Sequence, residues 1–282
     1  DCGWAEPEKT GEPGWLDFWN EYLYGKGEVR IGSQPAIPSI AAFTSTDYVG
    51  WNMDVPDVWR ARFIKNKIKD WEEKGEMPQL ILICLPVDHT SGTRAGMPTP
   101  RAAVADNDLA LGQIVEAFSH SSFWKEMVIL AIEDDPQNRF DHVSGYRTTA
   151  YLAGPYVKRG AVISTHYNTT SVLRTIEQIL GLPPMNQFDA SATPMFDCFT
   201  TEPDFRPYTA VPNRIPLDEL NPDPKKIADK LLRKNALVSA RLNFRQVDAC
   251  PETVLNRIIW HAVRGSGEPY PDWAVTVVQD DD

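Results

Sequence analysis

The sequence predicts an α/β protein of three layers, a parallel sheet flanked by helices, and three observations carry that prediction. Leu80-Ile81-Leu82-Ile83-Cys84-Leu85 is a continuous aliphatic run bounded by Pro86, the pattern of a strand buried on both faces. Met127 to Ile132 is a second such run. Between and after them lie stretches with apolar residues at helical spacing, so the order reads strand, helix, strand, strand, helix.

From Asp1 to about Val58 the chain is rich in Pro, Gly and Trp, with one short helix at Trp15 to Tyr24, and it reads as an irregular but ordered cover. Asp57 to Glu73 spaces Val58, Phe63, Ile64, Ile68 and Trp71 as a helix does, and Gly75 and Pro78 stop it. Val104 to Phe123 places Val104, Leu111, Ile114, Val115 and Phe118 along one helical side. Thr148 to Ala153 is a candidate third strand. Thr169 or Thr170 then caps a helix with Val172, Leu173, Ile176, Ile179 and Leu180, ended by Gly181 and Pro183. A Pro-rich passage from Pro183 to Pro224 is expected to wrap the surface, and helices over Lys225 to Leu242 and Glu252 to Val263 close the chain. The whole is expected as one domain over 1–282: a cover at 1–58, an α/β portion at 59–199, and a wrapping segment with terminal helices at 200–282.

The formal net charge of -11 argues against broad binding of nucleic acid or anionic lipid and suits a cation site. No apolar run reaches the roughly 18 to 20 residues that span a bilayer. The start, Asp1-Cys2-Gly3-Trp4, reads as the end of a processed or truncated product. Of the four cysteines, Cys84 sits in the aliphatic run and is expected to be simply buried. Cys2, Cys198 and Cys250 lie in loop-like sequence where a disulfide is feasible. The sequon at Asn168-Thr169-Thr170 is compatible with a secreted, periplasmic or cell-surface location.

In an α/β sheet, functional groups gather beyond the carboxyl ends of the strands. The first aliphatic run leads into Val87-Asp88-His89-Thr90-Ser91-Gly92, and the second into Glu133-Asp134-Asp135, with Asp141-His142 one loop on. Three consecutive acids after an apolar strand repel one another unless a cation or strong donors compensate them. Oxygen donors with one or two imidazoles suit Zn, Mn, Fe, Mg or Ca. His120 and His261, beside apolar residues on helices, read as packing or surface histidines.

Leu80 to Phe199 resembles the phosphoesterase branch of the alkaline phosphatase superfamily, which includes phospholipase C and acid phosphatase relatives. The likeness is carried by Leu85 through Gly92, by Ala102-Ala103-Val104-Ala105-Asp106-Asn107-Asp108, by Ile132-Glu133-Asp134-Asp135-Pro136-Gln137 with Asp141-His142-Val143, and by Tyr167 through Glu177. It continues through Gly181 to Gln187 and Thr193 to Phe199. The resemblance implies an alkaline-phosphatase-like parallel sheet, here incomplete at its amino-terminal side, and metal-dependent hydrolysis of a phosphate ester. It implies Asp134 and Asp135 as metal ligands, Asp88 and His89 as ligands or phosphate contacts, and Asp141 and His142 as ligands or the groups that orient them.

This chain carries Tyr146 and Ser144 where the branch usually has His and Asp. The nucleophile is absent: no Ser or Thr from Asp1 to Tyr48 occupies a strand-to-helix turn, and Ser33, Ser39 and Thr44 read as loop residues. Two expectations follow. One is a phosphoesterase fragment or subunit whose amino-terminal polypeptide, or further subunits, complete the fold. The other is a catalytically inactive structural or interaction module that keeps it.

Overall fold

A computed structural model describes residues 4–7, 13–27, 29, 31–35, 37–134, 147–247 and 249–272. Its elements, in chain order, are β1 (Trp4–Pro7), α1 (Trp15–Tyr24), β2 (Ile31–Gln34), α2 (Asp57–Lys74), α3 (Pro100–Ser119), β3 (Ile129–Ile132), β4 (Ala150–Ala153), α4 (Thr169–Leu180), α5 (Gln187–Ser191), α6 (Lys230–Ser239) and α7 (Glu252–Arg264). Helices dominate. The described residues form two antiparallel two-stranded ladders, β1 with β2 and β3 with β4, and the three-layer parallel sheet is not among them.

The helices follow from local sequence. Val58, Ala61, Ile64 and Ile68 are buried along one side of α2, and Ala110, Ile114 and Phe118 answer them from α3. Removing these side chains from water is the main drive for the pairing. α3 starts at Pro100, four residues before the periodicity begins, because Thr99 caps it by accepting from the Ala102 N–H at 3.3 Å. α4 is capped by Asn168, not by Thr169 or Thr170: its carboxamide oxygen accepts from the Ser171 N–H at 2.9 Å. Gly181, at φ 69°, ends α4 as expected. α6 begins at Lys230, behind an Asp229 cap, and not at Lys225.

Leu80–Leu85 is the main departure. The run has no ladder partner among the described residues and is not a strand. Ile81, Ile83 and Leu85 pack against the α2–α3 core, while Leu82 is 86% exposed. The side chains alternate as in an extended chain, but composition cannot supply the neighbour whose N–H and C=O groups complete a sheet. Cys84 is half-buried, and it is disulfide-bonded. Cys198 and Cys250 are buried and free.

One buried ion pair joins the cover to α2. Arg60, fully buried, uses all five of its N–H donors. Nε donates to the Val49 carbonyl at 3.0 Å, Nη1 to the Val55 carbonyl at 2.6 Å and Asp57 Oδ1 at 3.0 Å, and Nη2 to the carbonyls of Gly50 at 2.6 Å and Asn52 at 3.0 Å. Asp106 on α3 caps α2 from the side, accepting from the Asp57 N–H at 2.6 Å and the Val58 N–H at 3.2 Å. Arg60→Met should remove the counter-ion of Asp57 and the donors that four carbonyls share in the interior, and lower stability by about 3–5 kcal/mol. Urea unfolding midpoints measure this, and a loss under about 1 kcal/mol would rule out the central role given to Arg60.

Candidate active site

The aliphatic run ends in a single 3₁₀ turn, Val87–His89, in which Val87 is buried and Asp88 and His89 are half-buried. Asp57 reaches this turn from α2: its Oδ2 accepts from the Val87 N–H at 3.0 Å. Asn107 reaches it from α3, with Nδ2 2.8 Å from the Leu85 carbonyl, 3.1 Å from Asp57 Oδ2 and 3.2 Å from Asp88 Oδ1. The carboxylate of Asp88 is therefore aimed by a chain of contacts running from Arg60 through Asp57 and Asn107. His89 packs edge-on against Trp51, ring centroids 5.0 Å apart at 78°. The Trp51 indole is in turn held by the Phe244 carbonyl at 3.2 Å.

Beyond His89 the backbone is strained. Thr90, buried and β-branched, sits at φ 62°. A residue of that shape in the left-handed region costs on the order of 1–3 kcal/mol and persists only where its surroundings over-determine it. Its hydroxyl accepts from the Gly92 N–H at 3.0 Å, and Gly92 is itself at φ 57°.

Electrostatics ties Asp88 to the second acidic run. Burial, then the charge of Asp57, then that of Glu133, raise the Asp88 carboxyl from 3.8 to about 7. Glu133 follows β3 directly and accepts from the Thr148 hydroxyl at 2.9 Å. Burial also pushes Asp57 and Asp106 upward, with Arg60 pulling both back. Asp88 thus feels two like charges, and the effects that pull its carboxyl back down are backbone hydrogen bonds.

Of the acids singled out in the sequence, Asp88 is half-buried within this network and Asp134 is exposed just after β3. Asp135, Asp141 and His142 lie outside the described residues, as do Ser144 and Tyr146. Among the described residues no group of three or more His, Cys, Asp and Glu is arranged to hold a metal. Asp88 is half-buried and Glu133 exposed, and what connects them is the charge of Glu133 acting on the Asp88 carboxyl. His120 makes a local contact, Nδ1 lying 2.9 Å from the Glu116 carbonyl, and His261 sits 3.5 Å from the Asn235 amide nitrogen. Arg60, Asp57 and Asn107 were not singled out for roles. Only Asn107 had a sequence signal, its place in the Asp106-Asn107-Asp108 motif.

Residues 45–183 match the Phosphoesterase family. The matched span contains Arg60, Asp57, Asn107 and every acid at the two run ends, and supports a phosphoric ester hydrolase. It stops before α5, α6 and α7. No curated protein and no solved structure matches the chain.

The raised Asp88 carboxyl sets a pH dependence. Between pH 3.8 and about 7 the folded chain retains a proton on Asp88 that the unfolded chain releases, so stability falls as pH rises through that window. In EDTA, Asp88→Asn should equal the wild type near pH 4 and exceed it at pH 8 by at least about 1 kcal/mol. Urea midpoints at the two pH values provide the comparison; a mutant less stable at pH 8 would contradict an uncompensated charge at this position.

Proposed function

We propose that this chain is the metal-holding portion of a phosphoric ester hydrolase of the alkaline phosphatase superfamily, with the nucleophile supplied by a separate or upstream segment. The observation that carries the reading is geometric: Asp88, at the end of the first aliphatic run, is fixed through Asn107 and Asp57 inside the span that matches the family, and the charge of Glu133 at the end of the second run adds to the upward shift of its carboxyl. The family match over the same residues supports it.

Asp88, Asp134 and Asp135 would hold the cation, with Asp141, His89 and His142 as further ligands or phosphate contacts. A bound divalent ion supplies charge neutralisation for the phosphoryl oxygens and acidifies the attacking hydroxyl. Asn107 keeps the Asp88 carboxylate pointed at the site, and Trp51 restricts the His89 ring. The fold implied is the parallel sheet of that superfamily, completed by the nucleophile-bearing segment. The disulfide at Cys84 agrees with a secreted, periplasmic or cell-surface setting, where such bonds persist.

The test has two arms. The chain alone should bind Mn2+ or Zn2+ in calorimetry and release no p-nitrophenol from p-nitrophenyl phosphate. With the nucleophile-bearing polypeptide added, it should release p-nitrophenol in a manner abolished by EDTA and by Asp134→Ala together with Asp135→Ala. Metal binding without turnover in the completed protein would favour the inactive module, and absence of metal binding would remove the metal-site reading.

A further inference from the structure

The turn bearing Asp88 and His89 is fastened from a part of the chain that the family match does not reach. Ser239, the last residue of α6 and fully buried, accepts from the Thr93 N–H at 3.0 Å, and its hydroxyl lies 3.2 Å from Thr93 Oγ1. Asn221 donates through Nδ2 to the carbonyls of Gly92 at 3.2 Å and Pro98 at 2.9 Å. Its backbone is paired on both sides, accepting from the Gly96 N–H at 3.0 Å and donating to the Met97 carbonyl at 2.8 Å. The approach is close: a Cβ on Gly92 would lie 2.8 Å from Ser239 Oγ and 3.3 Å from Leu255 Cδ1 of α7.

We propose that Ser239, with Asn221, is a positioning residue of the site, fixing the Asp88–Thr93 turn in the conformation that presents Asp88 and His89. The proposal rests on the metal-site reading above but on different residues. Thr90 holds a positive φ that a β-branched residue rarely adopts, so this short turn keeps its conformation only while its surroundings fix it. Within the family-matched span, Asp57 and Asn107 grip its entrance at Leu85–Asp88. Its exit, Gly92 and Thr93, is gripped by side chains 129 and 146 residues farther along. Trp51, which borders His89, is also tied to this C-terminal segment through the Phe244 carbonyl. Fixing both ends of a turn is what converts a flexible acid and imidazole into a site of defined geometry.

The experiment uses the whole chain, with Ser239→Ala, Asn221→Ala and Thr93→Val, which deletes one hydroxyl and keeps the shape. For each, thermal unfolding establishes that the variant is folded, Mn2+ is titrated by calorimetry, and the amide and ring NMR signals of Asp88, His89 and Thr90 are followed without metal. Folded Ser239→Ala is expected to bind Mn2+ about 10-fold more weakly or worse, with displaced His89 and Thr90 signals and unchanged signals in α4. Thr93→Val carries the same expectation should Ser239→Ala not fold. A folded variant with unaltered Mn2+ affinity and unaltered His89 signals overturns the proposal. If the wild type binds no Mn2+, the metal reading fails by itself. Positioning is then judged on the metal-free signals, upheld by their displacement in Ser239→Ala and overturned by coincidence with the wild type.

Discussion

The rest of the structure depends on the satisfaction of a single buried cation. Arg60 is fully enclosed, and a guanidinium so placed is tolerable only if each N–H has an acceptor and the charge has a counter-ion. Four carbonyls from residues 49–55 and the carboxylate of Asp57 meet that demand. The consequence is geometric: an irregular stretch with no ladder or helix of its own is locked onto the first turn of α2. A lysine, with three donors on a single nitrogen, could not serve five acceptors spread around a plane.

Asp57 carries that order outward. One of its oxygens answers Arg60, while the other reaches the Val87 N–H and Asn107, and Asn107 touches Asp88. Asp88 is therefore placed by helices and side chains, with no sheet ladder among the described residues contributing. Burial and the charge of Asp57 push the Asp88 carboxyl upward, and the hydrogen bond from Asn107 holds it in place nonetheless.

What the sequence made legible was periodicity. α1, α2 and α7 stand within a residue, and α4 within two, of where the apolar spacing and the flanking Gly and Pro put them, because those signals act within one helix. Of the acids at the ends of the aliphatic runs, Asp88 stands in the hydrogen-bonded network and Asp134 is exposed, while Asp135 and Asp141 lie outside the described residues. Arg60, Asn221 and Ser239 were not legible. Each works through hydrogen bonds to backbone groups elsewhere in the chain, and nothing in the identity of an Arg within Asp57-Val58-Trp59-Arg60 or a Ser at a helix end announces which carbonyl or amide it will meet. The disulfide at Cys84 escaped for a related reason, since pairing is a property of tertiary proximity.

The aliphatic run Leu80–Leu85 remains the sharpest mismatch between composition and environment. Six consecutive apolar residues are the composition of a strand covered on two faces, yet only Ile81, Ile83 and Leu85 are packed, and Leu82 is 86% exposed. The alternation shows that the backbone is already extended, and two of its carbonyls, Cys84 and Leu85, are held by Tyr48 and Asn107 instead of a neighbouring strand. Ile132, which ends β3 just before Glu133, is also exposed. Burying these side chains against a further strand would be favourable at about 25 cal/mol per Å² of apolar surface. It would leave the Arg60 network undisturbed, because that network is already closed within residues 49–60 and needs no further partner. The half-buried Asp88 thus stands at the end of a run whose exposed side has no covering strand among the described residues.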